Sequence, residues 1–518
     1  MIREAGVRPI RHATRIEWPV RSVRAFAIMT SPHTRRNNMR LPNRTRVLVI
    51  GGGPAGATSA AFLAREGVEV TLVDKEVFPR YHIGESLLPS CLEILTLMGA
   101  RDTFDRHGFQ RKPGAYFNWK GETWKLDFGE LGGTYHYSYQ VRREEFDQLL
   151  LQHARAVGAR VHEGVGVREI LFDDGRPCAA LCVAQDSVET ATVEFDYLVD
   201  ASGRNGLMST RYLDNRKFHE IFRNVAAWGY WEGLSWPDDC APGSILVSSI
   251  PDGWWWAIPL ADRPTSVGVV MHRDAFVAAK RAGSLEQVYE QALALSPVMT
   301  KLTQRARLVT PLKTEQDYSY SCDSFAADGY FLSGDAACFL DPLLSTGVHL
   351  AMYSGMLAAA SLASILRGEV SEREAAAYYR DSYRQAYLRF LVFVQTFYEA
   401  HGKLGYYSKA DELSHYMIET GDIRRAFLNL VSGLEDIADA EQATSHLMGE
   451  MSRRIDQNLA LRKDKRVLAS AIGSAEVEDN ARFFDAIEGL PCLSANMALD
   501  GLYVSTQPRL GLQRVAAM

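Results

Sequence analysis

The chain has 518 residues, a length that suits about three domains of ~150 residues or one large two-domain enzyme. Hydrophobic residues make up 47% and charged residues 23%, which excludes a disordered, collagen-like or fibrous protein. The net charge of −6 gives no sign of a nucleic-acid binder.

Charge is unevenly spread. Residues 1–46 hold eleven Arg against Glu4 and Glu17, a balance of +9, which leaves the rest of the chain at −15. Such an arm suits a transit peptide or a nucleic-acid tail, but it lacks an apolar stretch, and Met29 and Met39 both precede the first strand. Residues 1–44 therefore read as an over-called start or a disordered extension. The seven cysteines form no CxxC, and no His pair stands nearby at ligand spacing. They read as reduced, mostly buried thiols of a cytosolic, cytoplasmic protein with no metal site. Leu350 to Leu366 is apolar, yet it carries three serines and falls short of the ~20 residues of a membrane span. It reads as a buried core helix.

In chain order, Arg46 to Ile50 predicts a buried parallel strand, followed at once by Gly51, Gly53 and Gly56 in a GxGxxG turn. Ala57 to Glu66 predicts a helix with Gly67 at its C-terminal cap, and Val68 to Val73 a second strand ending in Asp74. Gly51 permits the tight turn, Gly53 lets the backbone approach a pyrophosphate, and Gly56 lets helix and strand pack closely. The helix N-terminus offers N–H groups and a positive dipole to phosphate. Asp74, 18 residues after Gly56, is placed for a ribose hydroxyl. Strand, turn, helix, strand and acid together predict a dinucleotide site.

Residues 212–325 read as strands. Within them Trp254 and Trp256 share one face of a strand, which by itself suits core packing. Later, Phe339 to Gly347 places small residues in a turn at a helix N-terminus, a nest of N–H groups for an anion. Glu372 to Tyr398 has aromatic and aliphatic residues at helical spacing, and 408–470 continues with helix-favouring sequence. Gly473, Pro491 and Pro508 break up the tail.

Four segments in order resemble the flavoprotein monooxygenase superfamily. They are the GxGxxG unit with Ala55 inside it, the Arg143 segment Gln140 to Asp147, Asp200 to Arg204, and the strand ending in Gly334-Asp335. The resemblance implies FAD, with Asp335 on the ribityl chain and Arg143 approaching the flavin. Three further segments resemble the flavin-dependent halogenases of the phenol and pyrrole type. They are WxWxIP, as Trp254, Trp256, Ile258 and Pro259; FxxPxxSxG, from Phe339 to Gly347; and Phe109 to Gly114, whose Lys112 matches the catalytic lysine. Arg111 beside it is the competing cation. Tyr81 to Pro89, with Gly84 and Glu85, fits the stretch along the flavin edge, and Asp317 and Val348 are further flavin neighbours. The chloride of the family maps to Ser345, Thr346 and Gly347.

The resemblance implies an α/β fold: a Rossmann-like FAD-binding domain over 45–211 and 326–370, with an inserted β-sheet substrate domain at 212–325. A mainly helical region, 371–518, would cover the substrate entrance. It also implies an FADH2-dependent halogenase of natural-product biosynthesis. Reduced FAD comes from a separate flavin reductase, O2 gives a flavin hydroperoxide, and chloride gives hypochlorous acid, which Lys112 relays to a small aromatic ring, free or on a carrier protein. No nucleic acid or membrane is expected as a partner. One departure matters: tryptophan halogenases carry a glutamate where this chain has Leu344, so a phenol or pyrrole is expected over tryptophan. The alternatives are an FAD-dependent aromatic hydroxylase and an isoprenoid-chain flavin reductase.

Overall fold

The computed structural model describes residues 41–131, 136–185, 189–261, 264–399 and most of 490–515. Residues 1–40 of the expected N-terminal extension and the helices expected over 408–470 lie outside the described residues, and Arg44, expected in the extension, already belongs to the first strand.

Val47, Leu48 and Val49 have no solvent exposure, so the strand Arg44–Ile50 is covered on both faces. It takes the centre of a mostly parallel sheet. In order the path runs Ala326–Ala327, Tyr330–Leu332, Thr190–Asp200, Arg44–Ile50, Val70–Asp74 and Arg160–Glu163. A hairpin, Val165–Asp173 with Arg176–Ala184, pairs antiparallel to Thr190–Asp200. The register places Ile50 opposite both Asp200 and Val73, and Asp200 opposite Leu332. The C-terminal ends of four strands therefore reach one edge together, where open α/β sheets bind ligands.

The second sheet has nine strands. Its path is Cys338–Phe339, Lys313–Cys322, Arg216–Glu232, Thr265–His272, Gly253–Ile258, Ile245–Ile250, Gly114–Trp119 and Glu122–Asp127. Residues 212–325 supply its middle, but both edges come from outside that range. Three helices, Arg273–Ala282, Leu285–Ala294 and Pro297–Thr303, also stand where strands alone are expected. They cover one face, packing Tyr289, Met299 and Leu302 against Trp255 and Val267. The alternation of Gly253–Ile258 turns Trp255 into that core and leaves Trp254 and Trp256 on the opposite face.

Thr346–Leu366 is an almost wholly buried helix against Pro54–Arg65, where Gly355 leaves room for the Ala55 carbonyl. It has the length and apolarity of a membrane span, but the protein itself surrounds it. Glu372–Glu399 follows and ties back through Tyr379, whose hydroxyl donates to the Leu332 carbonyl at 2.6 Å. The last described stretch departs from the helical expectation for 371–518. Leu502–Ser505 and Gly511–Arg514 form a hairpin on the far end of the buried helix, with Leu512 N–H donating to Ser364 Oγ at 2.8 Å. Leu502, Val504 and Leu512 are buried there, which favours strands over an exposed helix.

Candidate active site

The glycine turn builds the near wall of a cleft. Gly51 has φ +104°, and a Cβ there or on Gly56 would collide with the carbonyls of Ala201 and Gly51 respectively. Only glycine allows this approach of turn, helix and neighbouring strand. The helix that follows begins at Pro54 with Gly53 as an N-cap that offers no side-chain bond, so its first N–H groups remain for a ligand. Asp74 accepts from Gly52 N–H at 2.5 Å and Glu76 N–H at 2.8 Å. Burial raises its pKa, against those two bonds.

From this wall a cavity of about 710 Å³ runs between the two sheets. Gly51, Gly53, Ala55, Asp74, Gly84, Glu85, Arg143, Gly334, Asp335, Ser345, Gly347 and Val348 all line it, as do Trp254, Trp256 and Ile258. Residues separated by about 300 positions thus meet at one cleft. Gly56 serves packing behind it, and Pro259 follows the strand without reaching the wall. Asp317 lies on Lys313–Cys322 opposite Asn224, but its side chain lies outside the described residues.

Arg143 is held rigidly. Its Nε and Nη2 grip both oxygens of Asp147 at 2.8 and 2.9 Å, and Nη1 donates to the Ile83 carbonyl at 2.9 Å. Burial works to raise the Asp147 pKa, but Arg143 and Arg80 hold it below the ordinary range. His82 beside this cluster is lowered to about 4 by burial and by Arg143. At the other end, Arg204 lies over the Phe339 ring at 4.4 Å and reaches Asp335 at 3.9 Å.

The small-residue turn behaves as its sequence suggests. Ser345 has φ +59° and caps Thr346–Leu366 without a side-chain bond, leaving the first N–H groups of a 21-residue helix open to an anion. Thr346 Oγ1 is buried without a hydrogen-bond partner among the described residues. Asp341 stiffens the turn: it accepts from Leu343 N–H, Asn224 Nδ2 and Tyr398 Oη, each at 2.9 Å. Burial pushes its pKa up to about 6. Leu344 is buried, so no carboxylate stands at that position.

Lys112 is buried at 3% exposure, and its Nζ donates to the Leu87 carbonyl at 2.9 Å. It sits on Gln110–Lys112, paired with Ser138–Gln140. It does not line the 710 Å³ cavity, and the segment Glu85–Leu87 stands between the two. Arg111 points outward, exposed, with its guanidinium 4.4 Å over the Tyr137 ring.

Sequence reading missed Trp228, Tyr230, Asp341 and Tyr398. Trp228 lines the wall and donates through Nε1 to Tyr81 Oη at 2.8 Å, and Tyr230 Oη donates to Glu85 at 2.8 Å. The alternation Ala226, Trp228, Tyr230 was the available signal, since it aims two polar aromatic groups at one face.

The comparisons agree with this geometry. A family model described as an FAD binding domain matches residues 44–388. The chain is 42% identical over 498 residues to the tryptophan 2-halogenase of Chondromyces crocatus, spanning 92% of this chain and 95% of that one. It is 41% identical over 384 residues to the sulochrin halogenase of Aspergillus terreus, spanning 69% and 70%. Among solved structures, the myxobacterial chondrochloren halogenase matches with a TM-score of 0.66 at 33% identity, covering 77% of this chain and 92% of that one. Fold and cleft thus define an FAD-binding oxidoreductase. The chain belongs to the flavin-dependent halogenases.

The residues present suit the cofactor. The glycine cradle and open helix terminus fit a pyrophosphate, and Trp228, Trp254 and Trp256 on the cavity wall offer aromatic surface to a flavin ring.

Proposed function

We propose that this enzyme installs chlorine on an electron-rich aromatic ring, with Lys112 delivering the oxidant. The observation that carries the proposal is a lysine buried at 3% exposure, held on the carbonyl of a segment whose other end lines the flavin cleft. A buried ammonium without a functional reason is rare, because desolvation opposes it.

In this reading Gly51, Gly53 and the Pro54 helix terminus hold the pyrophosphate, Asp74 a ribose hydroxyl, and Asp335 the ribityl chain. Gly84, Glu85, Arg143, Asp317 and Val348 neighbour the flavin. Bound FAD, reduced by a separate flavin reductase, supplies the electrons that activate oxygen. Ser345, Thr346 and Gly347 hold chloride on open N–H groups beside it. Trp254 and Trp256 fill the wall and exclude water, so that chloride meets the activated oxygen in place of substrate. Hypochlorous acid then reaches Lys112, which binds it or carries the chlorine to the ring.

The ring should activate itself, because Leu344 offers no carboxylate to assist. A phenol or a pyrrole suits this, whether free or on a carrier protein. The 42% relative named for position 2 of tryptophan supports a second reading, an indole attacked in its five-membered ring. That carbon shares the pyrrole character of the first reading, so the expectation against tryptophan narrows to its six-membered ring.

The test supplies a flavin reductase, FAD, NADH, oxygen and chloride with a panel of phenols, pyrroles and indoles. A product carrying the chlorine isotope pair is expected, and bare enzyme with NADPH should consume the nucleotide negligibly. Addition of oxygen instead, with rapid NADPH oxidation by the isolated chain, would make it a hydroxylase.

A further inference from the structure

Trp254 and Trp256 share one face of Gly253–Ile258, yet their indole N–H groups end in different places. Trp256 Nε1 donates to Ser266 Oγ at 3.2 Å, within the same sheet. Trp254 Nε1 donates to Tyr398 Oη at 2.7 Å, on the helix Glu372–Glu399. An indole N–H can only donate, so Tyr398 spends an oxygen lone pair on it and keeps its own proton. That proton goes to Asp341 Oδ2 at 2.9 Å, an oxygen that also accepts from Asn224 Nδ2 at 2.9 Å. The other carboxyl oxygen accepts from Leu343 N–H at 2.9 Å. Both bonds of the chain therefore run from Trp254 toward Asp341.

Asp341 is where this chain meets the turn that offers N–H groups to an anion. It caps Pro342–Leu344, which hands over to Ser345, the N-cap of Thr346–Leu366. Ser345 has φ +59°, a left-handed conformation that a serine holds only where its surroundings impose it. The direction of the next N–H groups, on Thr346 and Gly347, depends on that residue. Asp341 is 2% exposed, and no charged group offsets its burial: only the bonds from Leu343, Tyr398 and Asn224 oppose it. With a buried carboxyl shared among three neutral donors, the loss of one is felt by the turn. The rings of Phe222 and Trp119 pack on Tyr398, at 5.8 and 6.2 Å between centroids.

Resting on the chloride role given above to Ser345, Thr346 and Gly347, we propose that Tyr398 and Trp254 are positioning residues for the halide. Through Asp341 they hold the turn in the shape that aims its N–H groups at the anion. Tyr398 does not line the cleft and acts only through Asp341. The first tryptophan of WxWxIP thus works through its N–H as well as through its ring.

The test uses Tyr398→Phe, which removes one hydroxyl and keeps the ring, and Trp254→Phe, which removes the N–H. The first readout needs no turnover: iodide quenching of flavin fluorescence in the FAD-bound enzyme, competed by chloride. Wild type should show a saturable, chloride-competed component. Its halide dissociation constant should rise at least about fivefold in Tyr398→Phe and about twofold in Trp254→Phe, the scale of one neutral hydrogen bond. The second readout is turnover per bound FAD. The chloride KM should rise by the same factors, while kcat and the aromatic substrate's KM stay within about twofold. A merely structural role would lower the active fraction and leave the chloride KM alone. The double variant should bind halide no more weakly than Tyr398→Phe, because both changes act through one hydroxyl; factors that multiply would overturn the chain. If Tyr398→Phe does not hold FAD, Trp254→Phe decides on the same readouts. Halide constants equal to wild type in FAD-bound variants would overturn the inference. A wild type that binds halide yet halogenates nothing would overturn the proposed function instead, and the halide constants would still test Tyr398 and Trp254.

Discussion

Under the proposed role of Lys112, its replacement by Met should separate the relay of chlorine from what the flavin cleft does. The change removes an ammonium but keeps most of the volume of a side chain that is 3% exposed. Two effects on stability oppose each other. The Leu87 carbonyl, 2.9 Å from Nζ, loses a donor, at about 1–3 kcal/mol for a buried group left unmet. Against this, a charge no longer has to be desolvated, and a cation 5.4 Å from the Phe128 ring is exchanged for a thioether that packs there as well. The net change should stay within ~2 kcal/mol, so the variant folds. Because Lys112 lies outside the cavity wall, bound FAD and oxidation of reduced FAD by oxygen should persist. Chlorination should fall at least ~10³-fold, on the order of 4 kcal/mol in the barrier. The assay counts chlorinated product against peroxide and free hypochlorous acid for each reduced FAD consumed. Lys112→Arg should not rescue, since a guanidinium is a poor nucleophile of different shape. Arg111→Ala should retain activity, because that side chain faces outward over Tyr137. Wild-type chlorination by Lys112→Met, or its loss in Arg111→Ala, would refute the assignment.

Gly56→Ala drives a Cβ into the Gly51 carbonyl and should cost at least ~3 kcal/mol, together with bound FAD, read by thermal unfolding and flavin absorbance. Asp341 sets a pH dependence. Its folded pKa of about 6 lies above the ordinary 3.8, so the stability it contributes is full below pH about 4 and lost as pH rises to about 6. Relative to Asp341→Asn, wild type should lose about 3 kcal/mol between pH 4 and pH 7 in denaturant titrations, and a constant difference would refute the burial argument. If tryptophan is accepted, NMR of the product should place chlorine on carbon 2. Chlorine on the six-membered ring would mean that a carboxylate from another segment replaces what Leu344 lacks.

What was legible in the sequence is what short stretches encode. The GxGxxG turn, its flanking strands and Asp74 occupy under thirty residues, and each has a steric reason to be where it is. The assembly of the second sheet was not legible. Gly114–Trp119 pairs in parallel with Ile245–Ile250 across about 130 residues, as Ala115 with Ile245, and nothing local in either strand names the other. Asp341 looked like a turn residue. Its role depends on Tyr398, whose hydroxyl reaches it from the end of a long helix while also accepting from Trp254 Nε1 at 2.7 Å. The choice between Arg111 and Lys112 was open in sequence because a three-residue strand offers no pattern. Pairing with Ser138–Gln140 fixes which neighbour turns inward.

That same pairing ties the flavin cleft to Lys112. Residues 85–87 run alongside Ser138–Gln140: Leu87 N–H donates to the Tyr139 carbonyl at 3.0 Å, and Val141 N–H to the Glu85 carbonyl at 2.7 Å. Glu85 lines the flavin cleft while the Leu87 carbonyl holds Lys112 on the other side. A segment pinned at both ends by backbone bonds cannot shift one group without the other. Cleft and lysine are thereby tied to one short segment, and under the proposed relay this tie would keep the oxidant from the substrate until it reaches the ammonium. Weakening this clamp should uncouple the two: the enzyme would still consume reduced FAD and oxygen but release hypochlorous acid. Tyr139 is a poor place to try, since its ring is core, whereas Ser86 stands at the clamp and on the cleft wall, its hydroxyl buried with no hydrogen-bond partner among the described residues. Ser86→Val, which overfills that site by about one methyl group, should raise free hypochlorous acid at least twofold per chlorinated product, counted per FAD actually bound. An unaltered ratio in a folded variant would show that the clamp does not govern delivery.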